Sequence, residues 1–166
     1  MTLQNFLTTL AVMTLVVSPA SAQEPLVTTK SLSPELALDL AKAALKGCQQ
    51  RGFQVAVSVA DRSGVLLVTL RDRFAGPHTP STAFGKAWTA VNFRTGTTEL
   101  NAISQPGMMQ AGLRNLPGMV MIGGGMIVQS SGSLVGAIGV SGAPGGDADD
   151  LCAKAGIDAI RDKLDF

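Results

Sequence analysis

Glycine recurs through residues 123–142 of this 166-residue chain, first as Gly123-Gly124-Gly125, then Gly132, then the run Gly136-Ala-Ile-Gly-Val-Ser-Gly142. The residues between are β-formers, and glycine inside a strand packs nothing and has the most chain entropy to lose. Its repetition requires backbone to approach a ligand or another element closely, or to take up positive φ. Any fold for this chain must place something against the backbone of its last strands.

The rest of the pattern supplies those strands and their partners. Val55, Val57 and Val59 alternate through Gln54 to Ala60, Val65 to Leu70 is again β-rich, and Asp61-Arg-Ser-Gly64 turns between them, which predicts a hairpin. Further strands are expected over Met119 to Ile122, Met126 to Gln129 and Leu134 to Val140. Ser33-Pro34-Glu35 gives a helix start with a cap, a first-turn proline and an acid at the positive end, and the helix should run to about Gln50 before Gly52 stops it. A second helix is expected from near Ser81, short helical turns from Thr95 to Leu116, and a last helix capped by Asp147. Strands joined by tight turns favour an antiparallel sheet, hence an α+β class rather than βαβ repeats.

Residues 1–22 read as a secretory signal, with an apolar run from Phe6 to Val17, Pro19, and the small residues Ala20-Ser21-Ala22 before Gln23. Met1 to Asn5 lacks Lys and Arg, a departure from the usual pattern, and the apolar run is short of the ~20 residues that span a bilayer. Residues 23–166 then form one domain, expected in the periplasm or outside the cell. The net charge of +1 argues against a nucleic-acid partner. A hydrophobic fraction of 46% against 15% charged residues suggests apolar surface buried between copies of the chain, a homo-oligomer.

Ala37, Ala41, Ala44 and Cys48 make a small-residue stripe on the first helix, and Cys152, Ala155, Gly156 and Ala159 make another on the last. Two such helices side by side and antiparallel bring Cys48 and Cys152 within bonding reach, and export would permit the disulfide. The alternative is that both cysteines are small apolar packing residues.

His78 is the single histidine, in a loop between Pro77 and Pro80. As an isolated loop residue it reads as solvated surface, although imidazole is also a common axial ligand of haem iron. Arg71 and Arg73 precede that loop and Lys86 follows it. The arginines can pair with Asp72, whereas Lys86 interrupts an otherwise small and apolar helix. Gly123, Gly124 and Gly125 suit either a backbone nest for an anion or a turn between strands. Thr95, Thr97 and Thr98 suit capping, and the methionines suit core packing. Neither a phosphate loop nor a Ser-His-acid or paired-carboxylate arrangement stands out, so no catalytic residue is assigned.

Taken in order, Val55-Ala-Val-Ser-Val-Ala-Asp61 with Ser63-Gly64, Ala83 to Ala90 with Lys86-Ala87 and Thr89-Ala90, Gly123-Gly124-Gly125, and Gly136 to Gly142 followed by Asp147 to Ala153 resemble the haem-binding family that includes HbpS, GlcG and the C-terminal domain of PduO-type proteins. The resemblance implies a profilin-like fold, five antiparallel strands with the terminal helices on one face, usually oligomeric. It implies haem as cofactor, His78 as iron ligand, Arg71, Arg73 or Lys86 near the propionates, and Gly123 to Gly125 shaping the wall. The expected function is an exported haem store, buffer or carrier. The alternatives are a module or enzyme for a small carboxylate and an accessory partner of a sensor system.

Overall fold

Ser33 accepts the Leu36 N–H on its Oγ at 3.2 Å and so starts α1, Pro34–Gln49, with Pro34 in the first turn. Gly52, at φ +80°, turns the chain out of that helix. The computed structural model describes residues 26–164, so the expected signal segment lies outside the described residues. After α1 come β1 (Ala56–Asp61), β2 (Leu66–Arg71), α2 (Thr79–Phe93), α3 (Thr97–Ile103), β3 (Gly125–Ser130), β4 (Ser133–Ser141) and α4 (Gly146–Ala159). The β1–β2 turn is an Asx turn, in which Asp61 Oδ1 accepts from the Ser63 and Val65 amides at 2.8 and 2.9 Å.

The four strands form one antiparallel sheet in the order β2-β1-β4-β3. Alternation along β1 and β4 gives the sheet two unlike faces. On one, Val57 lies opposite Val140 and Val59 opposite Ile138; on the other, Ala56 lies opposite Ser141, Ser58 opposite Gly139 and Ala60 opposite Ala137. The branched face is buried under Leu40, Ala41 and Ala44 of α1 and Ala153 of α4. Each fully buried Val or Leu there contributes about 1.5–3 kcal/mol. The small-residue face takes Ala87, Ala90 and Val91 of α2. The terminal helices therefore share one face, as the resemblance implies, and α2 covers the other.

Both faces rely on absent side chains, in different ways. Between α1 and α4, a Cβ at Gly156 would lie 2.8 Å from Ala44 Cβ, so the two helices pack at the closest range and the Cys48–Cys152 disulfide joins them, Cα to Cα 5.2 Å. Under α2, a Cβ at Gly139 would lie 2.0 Å from the Ala83 carbonyl oxygen. That is the close backbone approach the glycine pattern requires.

One expected strand is missing. Met119 to Ile122 is not a strand, because its Val120 N–H donates to Thr89 Oγ1 of α2 at 2.9 Å instead of joining the sheet, and Ile122 is 54% exposed. The sheet has four strands rather than five. Two helix starts also shift: α2 begins at Thr79 with His78 in the cap position, and α4 at Gly146, placing Asp147 in its first turn.

Candidate functional site

β4 ends between the N-termini of α2 and α4, and a cleft of about 480 Å³ opens there. From α2 and the residues before it come His78, Thr82 and Lys86; from the chain leaving β4 come Ser141, Gly145 and Gly146. The small-residue face positions this cleft, because α2 sits low enough on Gly139 for its first turn to meet the end of β4.

His78 lies at the mouth. Its carbonyl oxygen starts α2 by accepting from Thr82 N at 3.1 Å, Thr82 Oγ1 at 3.0 Å and Ser81 Oγ at 2.9 Å. The imidazole is exposed and has no hydrogen-bond partner among the described residues. It sits beside Gly76, where a Cβ would come 2.8 Å from His78 Cε1, so the missing side chain makes room for the ring and both nitrogens stay available.

Lys86 is at the inner end and only 1% exposed. Its Nζ donates to Asp149 Oδ2 at 2.7 Å and to the Val140 carbonyl at 2.8 Å, tying α2, β4 and α4 together. Asp149 Oδ1 also accepts the Ala143 N–H at 3.0 Å, which fixes the loop that forms the cleft wall. Burial pushes the Asp149 carboxyl above its ordinary value, more than Lys86 and the Ala143 amide pull it down.

The other expected residues have other employment. Arg71 donates to the Ala75 carbonyl, and the Arg73 guanidinium stacks 5.9 Å from the Phe74 ring centroid; neither lines the cleft. Asp72 accepts from the Gln49 side chain at 2.8 Å. In the glycine run, the Gly124 N–H goes to Asp150 Oδ1 at 2.6 Å and the Gly125 N–H to Thr97 Oγ1 at 2.8 Å, so these amides hold the fold rather than an anion. A Cβ at Gly124 would lie 2.9 Å from Lys86 Nζ, and one at Gly125 would lie 2.5 Å from the Lys86 carbonyl. The run makes room for Lys86 and its helix, behind the cleft.

The site also contains what the sequence reading missed. Asp149 and Ser141 were given no ligand-binding role there. The available signal was Lys86 itself, since an ammonium inside an apolar helix calls for a carboxylate, and α4 begins with several. No group of three or more His, Cys, Asp or Glu able to hold a metal ion occurs among the described residues. A separate apolar groove of about 450 Å³ lies along α2 at Phe84, Trp88 and Met119.

Known proteins share this fold. The HbpS-like family, described as "Haem degrading protein HbpS-like", matches residues 32–158. A double mutant of Streptomyces reticuli HbpS is 36% identical, with a TM-score of 0.78 over 87% of this chain and 98% of that one. The structure of a PduOC–haem complex is also 36% identical, with a TM-score of 0.73 over 78% of this chain and 95% of that one. The corrinoid adenosyltransferase PduO of Salmonella typhimurium is 40% identical over 105 residues, 62% of this chain but 31% of the relative, so the chain spans about a third of that protein. With the family match covering most of its length, the chain belongs to the HbpS-like family.

Proposed function

We propose that the cleft at the end of β4 binds haem, with the His78 imidazole as axial ligand, and that the protein stores, buffers or carries haem outside the cytoplasm. The observation that carries this is an imidazole with no hydrogen-bond partner among the described residues, held at the mouth of a cleft whose volume falls in the range of small-ligand sites, roughly 300–1,000 Å³. Bound haem supplies an iron centre that imidazole nitrogen ligates well. Ile122, Ala143 and Pro144 offer apolar surface to a macrocycle beside it. The PduOC relative was solved as a haem complex, which supports the same ligand here. Arg71 and Arg73 have no part in this reading, since neither lines the cleft.

The Cys48–Cys152 disulfide supports an oxidising compartment, hence export. Exposed Phe74, Met109 and Leu116 support assembly with further copies of the chain. Titration of the purified protein with haemin, followed by Soret absorbance, tests the ligand: a saturable, shifted band that disappears in His78→Ala is expected. An identical band in that variant would remove His78 from the iron.

A further inference from the structure

At the last residue of β4, Ser141 is 6% exposed, lines the cleft, and has no hydrogen-bond partner for its hydroxyl among the described residues. Among the described residues Gln54 Oε1 is the one buried side-chain polar atom without a partner, so the Ser141 hydroxyl, unpartnered in the protein, is open to the cleft. Directly beyond it Gly142, at φ +130°, turns the chain so that Gly145 and Gly146 line the same cleft at the start of the 14-residue α4. The first amides of a helix have no partner within it and carry its positive end. Lys86 adds to this, since two of its three ammonium donors go to Val140 and Asp149 and one remains.

The acids around this point are engaged by other donors or lie at the edge of the cleft. Asp149 is held by Lys86 and the Ala143 amide, and Asp150 by the Gly124 amide and Thr98 Oγ1. Asp147 is exposed and outside the residues that line the cleft, with its Oδ1 beside Gly145, where a Cβ would come 2.5 Å from it. Beyond the engaged Asp149 carboxylate, which also lines the cleft, what faces inward is a set of donors without a matching acceptor.

We infer that Ser141 Oγ, the first amides of α4 and the remaining Lys86 proton form a carboxylate subsite in the inner part of the cleft. The chemistry is that of a carboxylate on a ligand, and it has two sources: a propionate of haem, in which case the subsite rests on the haem reading, or a small free carboxylate. His78 and the subsite are then two ends of one site, one reading metal and the other reading charge.

The test uses metal-free protoporphyrin IX and its dimethyl ester, so that iron ligation does not enter, with binding read from porphyrin fluorescence in the wild type, Ser141→Ala and Ser141→Asp. A lost hydrogen bond to a charged group corresponds to about 10-fold in affinity. The diacid should bind about 10-fold more tightly than the ester, Ser141→Ala should remove most of that preference, and Ser141→Asp should reverse it. Equal binding of acid and ester, or a preference untouched by both variants, would overturn the subsite; a Soret band still dependent on His78 would then leave the haem reading standing. Calorimetry with succinate forms the other arm. Ser141-dependent succinate binding without porphyrin binding would uphold the subsite, assign it to a free carboxylate, and overturn haem instead.

Discussion

The two faces of the sheet solve opposite packing problems. Against α1 and α4 the sheet presents Val57, Val59, Ile138 and Val140, so stability there comes from filled volume, with the Cys48–Cys152 bond closing a 104-residue separation. Against α2 it presents Ala56, Ser58, Ala60, Ala137, Gly139 and Ser141, so what matters there is removed volume and close backbone approach. The first face makes the fold durable. The second lowers α2 onto the sheet, leaving His78 at the mouth of the cleft and Ser141 at its inner end. Structural reserve and ligand chemistry are thus separated across a single layer of strands.

Mutations can break that division. The largest effect is expected from Cys48→Ala with Cys152→Ala, which should cost about 4 kcal/mol by loop-closure entropy while leaving ligand affinity in the cleft near the wild-type value. Denaturant unfolding and a haemin titration on the same samples check both halves. Next is Lys86→Met, which strands the buried Asp149 carboxylate at a cost of about 3–4 kcal/mol; Lys86→Met with Asp149→Leu should recover most of the loss in the same unfolding assay.

Two adjacent residues of β4 offer a finer contrast. Ile138→Ala, on the filled face, should cost about 3 kcal/mol by leaving a cavity. Gly139→Ala, on the emptied face, should cost about 2 kcal/mol by the opposite cause, because the added methyl meets the Ala83 carbonyl, and it alone should also weaken ligand binding by lifting α2. Comparable affinities in the two variants would erase the proposed split.

The smallest effects come from pH. Asp39 is held below 3.8 by its hydrogen bond and charge interaction with Lys163, so its stabilisation is present above 3.8 and lost as pH falls through the lowered value. Burial holds Asp149 above 3.8, so its ionised form costs stability, and acidification through the raised value removes that cost, fully below 3.8. Asp39→Asn should flatten a fall in stability toward acid pH and Asp149→Asn should flatten a rise, read from unfolding midpoints across the acid range.

Features governed by neighbours in sequence were legible before the structure. Ser33-Pro34-Glu35 located the start of α1, and the small stripes, each local to its own helix, left the Cys48–Cys152 bond as one of two readings, the one the structure contains. The glycines of β4 announced a close backbone approach without saying to what; Gly139 shows it is α2. Met119 to Ile122 misled because an apolar β-prone run looks the same whether its amides meet a strand or the hydroxyl of Thr89, 31 residues away. Lys86 and Asp149 lie 63 residues apart, and a pair at that separation carries no periodicity to reveal it. Arg71 and Arg73 looked available because charge is visible in a sequence while the Ala75 carbonyl and the Phe74 ring that occupy them are not visible as partners.

The most direct test of the account is to map where the ligand sits, by amide chemical shifts of the labelled protein with and without the diamagnetic gallium complex of protoporphyrin IX. The account predicts shifts concentrated at Gly76 to Thr82 and Ser141 to Gly146, with little change along α1 and at Cys152. Shifts centred instead on the Phe84, Trp88 and Met119 groove, with His78 and Ser141 unmoved, would contradict it.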